Sequence, residues 1–165
     1  MRDRDDPGGD LRERIRTAIE DSSHDFVHVH SKVPDEAAHK GDPEGKKEAI
    51  ADLDRGLDEL VKAVENRKDL LVAVTSDHST PSQGLLIHSG EPSPLTVVGP
   101  TVRRDEVDAF DEVNVAKGAL GFLRGKELML ILLNYADRSV LAGHRLGRHE
   151  RPYFPTHYEP FKLTE

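Results

Sequence analysis

The chain has 165 residues, enough for one domain with a modest core, and 36% of them are hydrophobic against 33% charged. Its formal net charge of −8 argues against a nucleic-acid partner, because no basic patch stands out from the acidic background. The absence of cysteine excludes disulfides, thiolate metal ligands and a cysteine nucleophile.

The first half of the chain alternates helical and strand patterns. Apolar residues recur at helical spacing between Leu11 and Ile19, and a short strand is predicted over Phe26–His30. After the turn at Gly41–Gly45, an apolar stripe that ends at Val64 predicts one helix of about twenty residues. The next strand is predicted over Leu70–Thr75.

The second half begins with a long loop, residues 76–94, which is rich in Ser, Pro, Gly and His and is therefore expected to be functional. A third strand is predicted over Pro94–Gly99, short helical turns over Asp105–Glu112 and Ala116–Leu123, and a helix over Glu127–Arg138. This order predicts an α/β fold with a mostly parallel sheet and flanking helices.

Composition predicts three stretches: a flexible N-terminus over 1–10, one domain over 11–143, and a tail over 144–165 rich in His, Arg, Pro and aromatic residues. The charged start lacks the apolar stretch of a signal peptide, and the longest apolar run, Leu128–Leu133, is too short to span a bilayer. We therefore expect a cytoplasmic protein without a membrane partner.

Two short polar clusters follow the first two predicted strands and point to metal chemistry. The first contains Asp35 and His39, one helical turn apart. The second contains Asp77 and His78, with His88 at the far end of the same loop. Two carboxylates and three imidazoles suit one or two divalent ions of the zinc or manganese kind. Two metals about 4 Å apart are a familiar arrangement for phosphoryl transfer.

The residues also resemble a known family. The segments that carry the resemblance are VHSKVPDEAAHKGD, AVTSDHSTPSQGLLIHSGEPSPLTVVG and FDEVNVAKGALGFLRGKELMLILLNYADR. These resemble the C-terminal part of cofactor-independent (2,3-bisphosphoglycerate-independent) phosphoglycerate mutases of the archaeal type, members of the alkaline phosphatase superfamily. The resemblance runs from about Phe26 to Arg138. It implies an isomerase-type phosphotransfer activity in glycolysis and the C-terminal half of an alkaline-phosphatase-like domain.

The resemblance implies roles for individual residues. Asp35, His39 and His88 match three ligands of one metal ion, and Asp77 and His78 match two ligands of a second ion, with manganese or zinc as the usual metals. Lys32 stands where family members often carry a lysine and is a candidate to pair with a phosphate oxygen. His28 and His30 are interpreted as strand residues rather than ligands.

The family completes its second metal with an early Asp and a Ser or Thr nucleophile, for which this chain has no counterpart. The hydroxyls that it does offer do not stand at the nucleophile's position: Ser22, Ser23, Ser76, Ser79 and Thr80. The substrate domain is missing as well. We therefore expect a split phosphotransfer enzyme, in which a partner chain supplies these parts, acting on a phosphoglycerate-like or other phosphorylated small acid.

Two alternatives remain open. In one, the chain is a non-catalytic protein that binds metal or a phosphorylated metabolite, or regulates a full-length relative. In the other, it is a stand-alone phosphohydrolase in which a metal-bound water replaces the Ser. The number of bound metals, turnover by the chain alone and the presence of a partner distinguish these three hypotheses.

Overall fold

The computed structural model describes residues 6–139. Within them the chain forms mainly helices and a small sheet, and the elements are α1 (Pro7–Glu20), α2 (Val33–His39), α3 (Pro43–Gly56), α4 (Asp58–Asn66), β1 (Val72–Thr75), β2 (Leu95–Val98), α5 (Glu112–Val115) and α6 (Gly125–Tyr135). The mixed α/β character predicted from the sequence is confirmed. The tail over 144–165 lies outside the described residues.

The same short motif begins α1 and α3. Asp6 accepts a hydrogen bond from the Gly9 backbone amide at 2.8 Å, and Asp42 accepts one from the Gly45 amide at 2.9 Å. In both cases a proline at the first helical position costs no hydrogen bond. Residues 7–10 of the stretch predicted to be flexible therefore form the first turn of α1.

The helix predicted to end near Val64 is two helices, α3 and α4, separated at Leu57. The Leu57 amide donates to the carbonyl of Asp54 at 3.0 Å, three residues back, so the last turn of α3 is tighter than an α-turn. Gly56, the last residue of α3, is a weak helix former. The apolar stripe continues across this break and therefore conceals it.

Helix α1 lies against α3 and α4. At the crossing with α3, a Cβ placed on Gly56 would lie 2.6 Å from the carbonyl oxygen of Gly8, so the two backbones approach closely only because both positions are glycine. Arg16 joins α1 to α4 through an ion pair with Glu59 at 2.7 Å. Helices α1, α3 and α4 thus form a layer, and α2 packs against α3 in this layer.

The sheet differs from the prediction. Strands β1 and β2 pair in antiparallel fashion, with Val72 opposite Val98 and Thr75 opposite Leu95. Parallel neighbours need a crossover connection, which is usually a helix, but the 76–94 segment between these strands contains none. The predicted mostly parallel sheet is therefore not formed by the described residues.

The predicted strand Phe26–His30 is also absent, since this segment has no ladder partner among the described residues. An apolar run predicts where a strand can form, but a strand exists only when a neighbour supplies hydrogen bonds. The side chains of Phe26 and Val27 are exposed. This segment and the sheet therefore present apolar surface that the described residues do not cover.

The C-terminal predictions are partly correct. Of the helical turn predicted over Asp105–Glu112, only Glu112 is helical. The following helix, α5, begins only after Asp111, whose carboxylate accepts hydrogen bonds from the Val113 and Asn114 amides at 3.0 and 2.9 Å. Residues 116–120 form turns. Helix α6 begins two residues earlier than predicted and ends at Tyr135 rather than Arg138.

The core is thin, as the polar composition predicts. The buried apolar side chains of the described region are Ile15, Ala38, Ala49 and Val97, and no large side chain is fully buried there. None of the described helices has the length and apolar character needed to cross a membrane.

Candidate metal centre

Helix α2 carries the first candidate ligands. Pro34 stands in its first turn, and Asp35 and His39 follow one helical turn apart. The Asp35 Oδ1 and His39 Nε2 atoms lie 3.3 Å apart. The i, i+4 spacing therefore places both side chains on one face, as the sequence predicts.

The loop between β1 and β2 brings two further imidazoles to this face. It folds back on itself, since the Ser89 amide donates to the Ser79 carbonyl at 3.1 Å in an isolated antiparallel bridge. This bridge places His78 beside His88, with ring centroids 4.1 Å apart. The His39 ring meets the His88 ring edge-on at 5.1 Å.

The candidate ligands converge from separate parts of the chain. Asp35, His78 and His88 offer ligand atoms that all lie within 4.8 Å of one another. Asp77 stands at the exposed rim, with its Oδ2 3.4 Å from His78 Nε2. The structure thus groups three of the five residues selected from the sequence. It places His39 beside Asp35 and His88, and it leaves Asp77 outside this group, next to His78. It also places His78 between the two predicted ligand groups, next to Asp35 and His88 as well as Asp77.

The donor set fits a divalent metal. Two ligand atoms, each about 2.1 Å from one tetrahedral ion, lie about 3.4 Å from each other. The Asp35–His39 and Asp77–His78 pairs have spacings of 3.3 and 3.4 Å. Imidazole nitrogens with carboxylate oxygens suit zinc and manganese, whereas calcium and magnesium favour oxygen alone.

Thr80 lies at the centre of the site, although the sequence indicated it only as one of several hydroxyls. It is 5% exposed, and its Oγ1 donates to Asp35 Oδ1 at 2.8 Å. The same oxygen lies 3.0 Å from His78 Nδ1 and 3.2 Å from His88 Nδ1. Its position two residues after His78 in the Asp-His-Ser-Thr-Pro string is the signal that could have identified it.

Lys46 is a second residue that the sequence analysis missed. Its Nζ donates to the Thr80 carbonyl oxygen at 2.8 Å. This contact joins the first turns of α3 to the 76–94 loop that carries His78 and His88, which we call the ligand loop. The lysine stands four residues after the helix cap Asp42, where nothing in the sequence distinguishes it from the neighbouring Lys47.

The surroundings of Asp35 favour its ionised form. Partial burial raises the pKa of this carboxyl, but the hydrogen bond from Thr80 lowers it. The nearby basic groups His39, His78 and Lys32 lower it as well, and the net result is a pKa below the usual value. An ionised carboxylate is the form that binds a metal.

The remaining sequence candidates lie at or beyond the rim. His30 Nε2 is 3.9 Å from Asp77 Oδ2, and the His30 ring is 5.8 Å from that of His28. Ser23 is held by Asp21 in a turn after α1. The phosphate role predicted for Lys32 stays a prediction, and so do the ligand roles of the five candidate residues.

Comparisons with known proteins show the family of the chain. Residues 8–135 match the model of the Metalloenzyme superfamily. The chain is 44% identical over 137 residues to the 2,3-bisphosphoglycerate-independent phosphoglycerate mutase 2 of Methanocaldococcus jannaschii, covering 83% of this chain and 31% of that protein. It is 36% identical to the corresponding mutase of Methanococcus vannielii, covering 83% and 34%.

A solved structure shares the fold. The PH0037 protein of Pyrococcus horikoshii superposes with a TM-score of 0.74 at 32% identity, over 83% of this chain and 40% of that chain. The resemblance to archaeal phosphoglycerate mutases drawn from the sequence is thereby confirmed. The chain spans about a third of the length of the curated relatives that it matches, consistent with a C-terminal part.

Proposed function

The chain belongs to the Metalloenzyme superfamily, and from this premise we propose that it is the metal-binding portion of a phosphoglycerate-mutase-like enzyme. The observation that carries the proposal is the convergence of Asp35, His78 and His88, whose ligand atoms lie within 4.8 Å of one another. Family membership implies divalent metal binding. Manganese or zinc is proposed here from the mixed nitrogen and oxygen donors.

We assign the ligands to two ions. Asp35, His39 and His88 would hold the first, and Asp77 and His78 would contribute to the second. When bound, such ions polarise a phosphate and lower the pKa of an attacking oxygen. Lys32, close enough to Asp35 to affect its pKa, is proposed to contact a phosphate oxygen at the end of the site.

The proposed reaction moves a phosphoryl group within a phosphoglycerate-like acid. A hydroxyl nucleophile would take the group from one oxygen of the substrate and return it to the other. The residues of this chain would orient the phosphate by charge and hydrogen bonding. The loop carrying His78 and His88 is held in place for this task by the Ser79–Ser89 bridge and by Lys46.

We further propose that a partner chain completes the site. Asp77 and His78 are two ligands, too few to hold an ion, and Asp77 has 59% of its side chain exposed. Beyond the Asp35, His78 and His88 group, the described residues form no other cluster of three such ligands. The partner would supply the missing Asp, the Ser or Thr nucleophile and the substrate domain.

Exposed apolar surface beside the site supports this partner. Leu85, Leu86 and Ile87 are all exposed and directly precede His88. The outer edge of β1 has no neighbouring strand among the described residues. Contiguous apolar surface and unpaired strand edges of this kind mark protein interaction sites. The curated relatives, which are about three times as long as the matched region, contain enough further chain to cover such a surface.

The test is a mutase assay on the native complex. We expect the chain, captured from its own cells through an affinity tag, to interconvert 2- and 3-phosphoglycerate in Mn²⁺ only when a second polypeptide is retained. Asp77→Asn in the tagged chain should abolish this activity, because it removes one of the two ligands offered to the second ion. Glu65→Gln on α4, away from the ligand set, is the matched control.

Other outcomes would overturn the proposal in distinct ways. Metal-dependent release of phosphate by the purified chain alone would establish the hydrolase alternative. Metal binding without turnover in either preparation would establish a binding protein. Wild-type activity in the Asp77→Asn complex would remove this residue from the site.

A further inference from the structure

Thr80 is the buried polar residue around which the ligands are arranged. Building on the proposed metal centre, we propose that its hydroxyl is a positioning group that fixes His78 and His88 in the Nδ1–H tautomer and so reserves Nε2 of each ring for metal. Among the described residues, Thr80 is the only polar one that is buried. It contacts groups from α2 and from both ends of the ligand loop.

The protons available at this hydroxyl determine the tautomers of both rings. A threonine hydroxyl has one proton to donate and two lone pairs to accept with. The Asp35 carboxylate can only accept, so the hydroxyl proton is committed to Oδ1 at 2.8 Å. The contacts at 3.0 and 3.2 Å to His78 and His88 are then hydrogen bonds only if each Nδ1 carries the proton and donates it.

The tautomer decides which nitrogen is available to a metal. A neutral imidazole protonated on Nδ1 has its lone pair on Nε2. For His78 this lone pair lies 3.4 Å from the Asp77 carboxylate oxygen. In this tautomer the two atoms are both acceptors and repel each other unless a proton or a metal ion lies between them. Thr80 therefore contacts both predicted ligand groups: Asp35 and His88 belong to the first, and His78 belongs to the second.

The backbone holds Thr80 in this role. Lys46 fixes its carbonyl oxygen at 2.8 Å, and the adjacent residue Ser79 forms the bridge to Ser89. These contacts hold the backbone of Thr80 beside the three ligands, and the hydrogen bond to Asp35 Oδ1 at 2.8 Å orients the hydroxyl itself. Removing a group that hydrogen-bonds to a metal ligand and orients it typically lowers metal affinity by about 10- to 100-fold.

The first test reads the tautomers directly in the metal-free full chain. With ¹⁵N-labelled histidine at a pH where the rings are neutral, we expect the Nδ1–H form for both His78 and His88. Thr80→Val, which keeps the shape and removes the hydroxyl, should return both rings towards the mixture of a solvated imidazole. Thr80→Ser should retain the wild-type signature. Nε2–H tautomers in the wild-type chain would overturn the inference.

The second test measures metal affinity by titration with Mn²⁺ and Zn²⁺. Thr80→Val should weaken binding about 10- to 100-fold, and Thr80→Ser should restore most of it. Thr17→Val, whose hydroxyl donates within α1, is the matched control and should bind as wild type does. Equal affinity in Thr80→Val and wild type would contradict the role proposed for Thr80.

The two tests separate this inference from the proposed function. A wild-type chain that binds neither metal would refute the metal centre, yet the tautomers would still report on the hydrogen bonds of Thr80. If Thr80→Val fails to fold, the wild-type and Thr80→Ser spectra still decide the question.

Discussion

Replacing Asp35 with asparagine is expected to lower the affinity of the chain for Mn²⁺ or Zn²⁺ by on the order of 100-fold or more. The substitution removes the carboxylate that lies among the imidazoles and leaves a neutral amide of the same size. The oxygen of this amide can still accept the Thr80 hydrogen bond, so the fold should change little. The loss of metal affinity therefore measures what the Asp35 carboxylate contributes as a ligand and as a charge.

Isothermal titration of the metal into the full chain measures this loss. Glu44→Gln is the matched control, since it removes the same charge from an exposed position on α3 where Glu44 pairs with Lys47. Circular dichroism of both variants should match that of the wild type. Wild-type affinity in Asp35→Asn would show that any metal binds elsewhere on the chain.

Replacing Gly56 with alanine should destabilise the fold by about 1–3 kcal/mol. The added Cβ would lie 2.6 Å from the Gly8 carbonyl oxygen, and a backbone atom cannot move aside as a flexible side chain can. This clash outweighs the gain in helix propensity, which is about 1 kcal/mol for glycine to alanine. The crossing of α1 and α3 would have to open.

Urea unfolding of the two variants measures this effect. Gly125→Ala is the control, because a Cβ at this first position of α6 meets no atom within 4 Å, and it should be neutral or slightly stabilising. If Gly56→Ala proved as stable as Gly125→Ala, the close approach of α1 and α3 would be wrong.

Local signals in the sequence predicted much of the site. The spacing of Asp35 and His39 needs only a helical turn to bring them together, and an isolated turn is encoded locally. The convergence of His78 and His88 needed one further assumption, that the 76–94 loop closes. The Ser79–Ser89 bridge shows how it does. Thr80 was not singled out, because its hydrogen bond to Asp35 joins residues that are 45 positions apart in the chain.

The pairing of segments distant in the chain could not be predicted from local sequence patterns. The runs Leu70–Thr75 and Pro94–Gly99 predicted strands, but their direction depends on the connection between them, and it is antiparallel. Phe26–His30 has strand character without a strand partner among the described residues. Likewise, the apolar stripe over α3 and α4 carried no sign of the break at Leu57, because both helices use the same face.

The most direct test of the central claim, that separate loops form one divalent metal centre, is anomalous diffraction from crystals of the full chain grown with Mn²⁺ or Zn²⁺. We predict an anomalous peak about 2 Å from the Asp35 carboxylate and from an imidazole nitrogen of His88. Crystals saturated with metal that show no peak at these side chains, or peaks only at other surface residues, would contradict this claim.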